Sequence, residues 1–295
     1  MESKITLFLM TGRGYRLLGD TVRAYGRLFA HVVIGRDSTL KNDFSADIQA
    51  MCETHNIPHS YRSSSPANVI ATDYALAVGW RWLINFPQER LIVFHDSLLP
   101  RYRGFSPLVT ALINGDDRTG VTALLGSDRY DAGPILAQSS MLLRYPLTIS
   151  QAIDQIGQCY ADTAVRVLQQ IDEGLVLRGT PQNEAAVSYS LWRDAEDYRL
   201  DWTRAAEELA RTVDATGSPY TGAETLVNGR RAKVRRASPL PDVTIGNRSA
   251  GKVIWTEEGK PVVVCGVGLL RIEELDDVES GVSLLPLDSF RTRFS

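Results

Sequence analysis

The chain has 295 residues, 44% of them hydrophobic and 23% charged, with a formal net charge of −3. That composition suits one large domain or two ordinary ones, and it excludes wholesale disorder and a disulfide-stapled miniature. It also excludes a global electrostatic pull toward nucleic acid or an anionic membrane, and no apolar run reaches the ~18 residues of a membrane span. The three cysteines, Cys52, Cys159 and Cys265, are odd in number, far apart and without metal-ligand spacing, so a reducing cytoplasm is the expected compartment.

Along the chain, Ile5–Met10 is a strand candidate, and the opening MESKITLFLMTGRG reads as a first buried strand rather than a signal peptide. It runs into Thr11-Gly12-Arg13-Gly14, where glycines would let backbone N–H groups approach a phosphate and Arg13 would add charge; tight-turn chemistry is the plainer reading. His31–Gly35 is a second short β-type run, and Asp43–His55 fits a helix stopped by Pro58. Asn68–Ala77 and Arg90–Phe94 bracket another unit, with Val121–Leu125 and Ile135–Leu143 as further strands. Thr148–Asp172 is the clearest helix: Ser150 can cap it, Ile153, Ile156, Tyr160, Ala164, Val167, Leu168 and Ile171 form one stripe, and Gly174 closes it. Strands alternating with helices predict a Rossmann-like α/β domain with a mostly parallel sheet and flanking helices over residues 1–180.

The texture then changes. Residues 181–198 are polar and turn-rich, a linker by composition. Residues 199–295 offer one short helix at Asp201–Asp214. Short β-type runs follow at Ala232–Val234, Gly251–Trp255, Pro261–Cys265 and Leu269–Ile272, with a hairpin signal at Asn228-Gly229. A small β-barrel, OB-like, is the expectation for this second domain.

The chemistry-bearing stretch is 91–136. A buried strand, Leu91–Phe94, stops at His95-Asp96-Ser97, and a second, Val121–Leu125, leads to Asp128-Arg129-Tyr130-Asp131-Ala132-Gly133. Ligands of parallel sheets bind at the carboxyl ends of strands. A His95–Asp131 couple there would be equipped for acid/base work or for steadying an oxyanion. Taken singly, a histidine beside a strand end and an aspartate before Ala-Gly are as easily structural.

Taken together, His95-Asp96-Ser97-Leu98-Leu99-Pro100 and, about thirty residues later, Asp131-Ala132-Gly133-Pro134 resemble the formyltransferases that use N10-formyltetrahydrofolate. That family includes methionyl-tRNA, glycinamide ribonucleotide and amino-sugar formyltransferases. Its usual signature is Asn-x-His-x-Ser-Leu-Leu-Pro followed by Asp-x-Gly. Arg199-Leu200-Asp201-Trp202 and Asn228-Gly229 followed by Lys233-Val234 look like the start of the C-terminal barrel of two-domain members.

The resemblance implies that His95 is the catalytic histidine and Asp131 the aspartate that positions it and helps move the amine proton. Trp80, Trp82, Leu83 and Ile84 fall in the segment whose backbone holds the pterin, with burial of both indoles as the alternative. Asp128, Arg129 and Tyr130 fall in the loop that closes over it. Thr11, Gly12, Arg13, Ser97, Arg101, Tyr102, Arg103 and Gly104 are the expected acceptor contacts. N10-formyltetrahydrofolate is the implied donor and no metal is called for. One departure matters: the family's asparagine should stand at position 93, which is valine. Valine cannot donate to the formyl oxygen, and one such donor is typically worth a factor of ~100 or more in rate. Either His95, a backbone N–H or water replaces it, or the chain is a folate-binding module with weak turnover or none.

The acceptor is expected to be a small-molecule amine, most consistent with a nucleotide-linked or phosphorylated amino sugar. The tRNA-using alternative would want a basic insertion after the second strand, whereas residues 36–43 hold two basic and two acidic side chains. The strongest basic run is Arg230-Arg231-Ala232-Lys233-Val234-Arg235-Arg236; alternation would put Arg231, Lys233 and Arg235 on one strand face. It reads as RNA-facing or as a solvated barrel face. Homodimerisation stays open, and no membrane partner is implied.

Overall fold

The computed structural model describes residues 2–38, 40, 42–62 and 72–295. The chain divides into two compact units. One comprises Met1–Pro107, Arg118–Leu142 and Ile153–Leu191, and the other Leu108–Asp117, Leu143–Ala152 and Trp192–Ser295. Among the described residues no helix is long and apolar enough to cross a membrane.

The elements run β1 (Ile5–Leu9), α1 (Thr11–Tyr25), β2 (Phe29–Ile34), α2 (Ser45–Thr54), β3 (His59–Tyr61), β4 (Tyr74–Val78), β5 (Leu91–His95), β6 (Arg103–Gly104), α3 (Pro107–Asn114), β7 (Arg118–Leu125), β8 (Ile135–Leu142), α4 (Ile149–Asp172) and β9 (Tyr189–Ser190). Seven strands form one sheet in the order β3-β2-β1-β4-β5-β7-β8. Pairing is parallel from β3 through β5, while β7 meets both β5 and β8 antiparallel. The Rossmann-like, mostly parallel sheet is therefore observed, with an antiparallel flank. β1 is buried at every position, as a strand covered on both faces must be.

Helix α1 had no sequence signal strong enough to announce it. Thr11-Gly12-Arg13-Gly14, taken as a turn, is its first turn, and Leu17, Leu18, Thr21 and Val22 are its buried stripe. Gly14 is required by packing: a Cβ there would lie 2.9 Å from Leu9 Cβ, so the helix sits directly on the end of β1. The cap of α4 is Thr148 rather than Ser150. Thr148 Oγ1 accepts from Gln151 N at 3.3 Å and Gln151 Oε1 accepts from Thr148 N at 3.0 Å, a reciprocal capping box. The part of the Asn68–Ala77 reading that precedes residue 72 lies outside the described residues.

The second unit carries α5 (Ala206–Thr216), β10 (Ala223–Val227), β11 (Arg230–Leu240), β12 (Val253–Glu257), β13 (Lys260–Val264) and β14 (Leu269–Asp277). The strands pair antiparallel in the order β10-β11-β14-β13-β12. The hairpin at Asn228-Gly229 has both residues at positive φ, 49° and 86°, as a tight two-residue turn demands. Residues at the C-terminus draw the sheet's two edges together. Ser295 exchanges backbone hydrogen bonds with Leu226 of β10, and Phe294 N donates to Gly251 O just before β12. This gives the small barrel-like body expected from the sequence. Trp202, Leu209, Val234, Ile272, Leu275 and Phe294 belong to its core.

The basic run on β11 does not alternate as expected, because a bulge between Val234 and Ala237 leaves Arg235 and Arg236 both exposed. Each of its cations has a carboxylate: Arg230 with Asp277, Arg231 and Lys233 with Glu224, Arg235 with Asp276 and Arg236 with Glu274.

Candidate active site

Strand alternation decides what the end of β5 presents. Val93 and His95 share one face, Phe94 and Asp96 the other. Val93 packs against the apolar group of Phe8, Val33, Ala75 and Ala77, beside Trp80, Ile84 and Phe86. His95 is the last residue of the strand rather than the first beyond it, pairing with Thr122 of β7. Its side chain is 8% exposed.

His95 Nε2 lies 2.7 Å from Tyr102 O. A carbonyl only accepts, so Nε2 carries the hydrogen and Nδ1 is the nitrogen facing Asp131, 3.5 Å from Oδ2. Asp131 sits in the left-handed region, φ 52°, a conformation aspartate tolerates better than most residues. Its Oδ2 also accepts from Gly104 N at 2.8 Å. The pair is thus held between the end of β5 and the loops carrying Tyr102–Gly104 and Asp131.

Those loops are braced by residues with no sequence signal of their own. Gln182 Nε2 donates to the carbonyls of Asp131 and Gly133, at 2.7 and 2.8 Å, while its Oε1 accepts from Arg103 Nη2 and Nε at 2.8 and 3.0 Å. Arg103, 1% exposed, also pairs with Glu184 at 2.9 Å. Burial works against the Arg103 charge, but Glu184 more than compensates, and the Arg103 hydrogen bond in turn holds the Glu184 carboxyl below its usual range. Arg103 therefore braces the loop and does not line a cleft as an anion contact. β9 adds to this by pairing with β6, Tyr189 to Arg103 and Ser190 to Gly104. So residues 181–190, read by composition as linker, fold back on the loop that carries Tyr102.

Ser97 is 1% exposed. Its hydroxyl donates to Arg101 O at 2.7 Å and its carbonyl accepts from Thr122 Oγ1 at 2.6 Å, so it shapes the loop from within. Tyr102 is also buried, whereas Arg101 is exposed and stacks on the Tyr102 ring, 5.0 Å from its centroid. Asp96 is the second buried anion of the site. Its Oδ2 meets Arg13 Nη2 of α1 at 2.5 Å, and Tyr160 of α4 donates its hydroxyl to Oδ1. Burial first, then the Asp96 charge, pushes the Tyr160 phenol well above its usual range, which keeps it a donor. Arg13 thus serves a brace that the sequence reading had not foreseen.

On the other flank, Trp80 stands edge-on to Phe8 and to Trp82, at 5.2 and 5.1 Å. Its indole belongs to the apolar group, and its Nε1 is buried with no hydrogen-bond acceptor among the described residues; Thr11 Oγ1 is buried and unbonded in the same sense. Trp82 is flanked by Arg62 and Arg81. Leu83 is 94% exposed and Ile84 is partly buried against the Trp80 group. Gln88 Nε2 donates to Asp128 at 2.6 Å, Arg129 lies 3.6 Å from Glu184, and Tyr130 is exposed, tilted against Phe105. Gly12 lies in the first turn of α1 against the Phe44 ring. No cluster of three or more His, Cys, Asp or Glu with metal-holding geometry occurs among the described residues.

Residues 42–170 match the family described as formyl transferase, and residues 193–280 match its C-terminal domain. The chain belongs to the formyltransferase family. The methionyl-tRNA formyltransferase of Halothermothrix orenii is 28% identical over 268 residues, covering 90% of this chain and 80% of that one. The same enzyme of Herminiimonas arsenicoxydans is 29% identical, covering 96% and 86%. Among solved structures, the Helicobacter canadensis N-formyltransferase in complex with folinic acid and dTDP-3-aminofucose superposes with a TM-score of 0.71 at 15% identity, over 92% of this formyltransferase and 99% of that chain. HypX from Aquifex aeolicus in complex with tetrahydrofolic acid gives 0.60 at 18% identity, over 97% of this chain and 46% of HypX, so this formyltransferase spans about half of HypX's length. At these identities the structures share a fold.

Proposed function

We propose that this formyltransferase moves the formyl group of N10-formyltetrahydrofolate to the primary amine of a phosphorylated or nucleotide-linked amino sugar. The observation that carries the reading is the His95–Asp131 pair, 3.5 Å apart at the carboxyl end of β5. The neutral amine attacks the formyl carbon and a C–N bond forms. In its imidazolium form, with Nε2–H kept on Tyr102 O, His95 steadies the oxyanion through Nδ1–H, in the role an asparagine at position 93 would share. Asp131, directly or through water, takes the ammonium proton. Collapse breaks the bond to N10, and that proton ends on N10 of tetrahydrofolate.

The donor is assigned to residues 80–84 and 128–130. Two buried polar atoms without hydrogen-bond partners among the described residues, Trp80 Nε1 and Thr11 Oγ1, support a polar ligand at the neighbouring ends of β1 and β4. Gly12, Arg101, Tyr102 and Gly104 are assigned to the acceptor side. A cytoplasmic location is part of the proposal, supported by three buried free thiols.

Methionyl-tRNA is the second reading, favoured by the curated relatives. The neutralised basic run on β11 weighs against it. Turnover of N10-formyltetrahydrofolate with a panel of amino sugars, their nucleotide-linked forms and charged initiator tRNA separates the readings. His95→Ala and Asp131→Ala are expected to lose turnover by about 100-fold or more while still binding tetrahydrofolate. Folate binding with no amine formylated would leave a binding module instead.

A further inference from the structure

The carboxyl edge of the parallel strands carries two cations, Arg36 and Arg62, that this chemistry does not use. Arg62 directly follows β3, Arg36 stands two residues beyond β2, and Arg81 three residues beyond β4. Arg36 stacks on Tyr61, its Cζ 3.8 Å from the ring centroid, and Arg62 stacks on Trp82 at 4.2 Å. Arg81 approaches the same Trp82 ring at 5.2 Å and pairs with Asp37 at 3.0 Å.

Stacking and ion pairing do different things to an arginine. A carboxylate occupies the N–H edge of the guanidinium. An aromatic ring holds its face, fixes its plane and leaves the N–H fork open in that plane. Arg36 and Arg62 are held by rings, and neither makes an ion pair among the described residues. Asp43 feels the Arg36 charge, yet neither nearby carboxylate forms an ion pair with Arg36 or Arg62 among the described residues. Asp37 takes Arg81, and the oxygens of Asp43 accept from the backbone N–H groups of Asp37 and Ser45 at 2.9 and 3.0 Å. Residues 39, 41 and 63–71 contain no aspartate or glutamate, and residue 41 is a lysine.

In the strand order β3-β2-β1-β4-β5, His95 ends β5 and this group lies beyond the ends of β2 to β4. At ~4.8 Å per strand, with Arg62 reaching back to Trp82 after β4 and Arg36 stacked on Tyr61 of β3, the guanidinium groups stand on the order of 10–20 Å from His95. An amine on a hexose ring and the diphosphate attached to that sugar are separated on this scale. We propose that Arg36 and Arg62, pre-oriented on Tyr61 and Trp82, form the diphosphate-binding site of a nucleotide-linked acceptor. This rests on the amino-sugar reading above and specifies it: a sugar carried on a diphosphate, with phosphoryl oxygens taking two forks that carboxylates among the described residues leave unpaired.

The test is calorimetric titration of the whole chain with UDP, dTDP, GDP and inorganic pyrophosphate, alongside tetrahydrofolate. Wild type is expected to bind at least one nucleoside diphosphate. Arg36→Ala and Arg62→Ala are each expected to weaken it about 10-fold, the size of one charge-assisted contact. Arg62→Lys should recover only part of the loss, because it keeps charge without the fork. Tetrahydrofolate affinity should be unchanged in Arg36→Ala, whose ring partner Tyr61 lies outside the donor segment, and the melting temperature should be unchanged in all three. No diphosphate binding by wild type overturns the proposal, as does equal binding by the variants. A loss confined to tetrahydrofolate also overturns it, by assigning the arginines to the donor. If no amine is formylated but diphosphate binding is still lost in the variants, this site stands and the amino-sugar transfer falls.

Discussion

Asp96→Ala removes a carboxylate that ties the end of β5 to both α1 and α4. Two contacts go at once, the 2.5 Å ion pair to Arg13 and the hydroxyl bond from the fully buried Tyr160. Breaking a buried ion pair by deleting one partner costs about 3–5 kcal/mol. The Arg13 side chain is 22% exposed, so water screens part of that and places the loss at the lower end. A buried hydroxyl deprived of its acceptor costs about 1–3 kcal/mol, but it shares the same carboxylate, so the two losses overlap. The expected total is about 3–4 kcal/mol, a drop of roughly 6–16 °C in melting temperature for a body of this size.

Thermal unfolding of Asp96→Ala, Tyr160→Phe and the double variant measures this directly. Tyr160→Phe should cost about 1–2 kcal/mol, and the double variant less than the sum, because both delete one bond. Since Asp96 is covalently next to His95, kcat should fall with tetrahydrofolate affinity retained. Asp96→Ala melting within ~2 °C of wild type would refute the reasoning: by that scale the contacts would be worth less than about 1 kcal/mol.

Val93→Asn restores an amide on the His95 face. It should raise kcat by about 10-fold or more if an oxyanion donor is missing, at a stability cost of about 1–3 kcal/mol for an amide set among Phe8, Ala77 and Trp80; kcat and a melt read both. Arg103→Met deletes the contacts to Gln182 and Glu184, and is expected to lower kcat with donor affinity retained, measured by initial rates and folate titration. In the C-terminal unit, burial would raise the Glu273 carboxyl, but Lys260 and Arg271 outweigh it and hold it at about 2 against an ordinary 4.5. Its folded pKa lies below the unfolded one. Its stabilisation is therefore complete above pH 4.5 and is lost as pH falls toward 2, by at most ~3 kcal/mol. Glu273→Gln should flatten that acid limb in denaturant titrations at stepped pH.

The strand ends were readable because buried strands leave a plain trace: Leu7–Met10 and Leu91–Phe94 are continuous apolar runs with abrupt polar stops. Helix α1 was not, since Thr11-Gly12-Arg13-Gly14 has the chemistry of a turn and Gly14 is there for packing against Leu9. The antiparallel flank was equally hidden. Nothing in the residues of β7 and β8 fixes their direction, which the chain's path determines. In the second unit the turn at Asn228-Gly229 was legible from two residues, whereas the bulge at Arg235 was not, because two exposed arginines in a row fit either face of a regular strand.

The site divides in the same way. His95 and Asp131 stood out because their spacing and neighbours form a pattern; Gln182, Glu184 and Tyr160 did not, because what they do exists only through distant partners. Gln182 lies in a polar stretch whose composition describes a linker, yet it joins Asp131, Gly133 and Arg103 through one amide. Tyr160 lies in an apolar helical stripe, where its ring is all the periodicity can see and its hydroxyl is what reaches Asp96. The same asymmetry separates the arginines. Counting charge along residues 36–43 gives a balance near zero and argues against a polyanion. In space, Asp37 pairs with Arg81 and Asp43 accepts from backbone donors, and among the described residues no carboxylate forms an ion pair with Arg36 or Arg62. Net charge over a segment is the wrong quantity for a binding site; what matters is which donors remain after the fold has paired the rest.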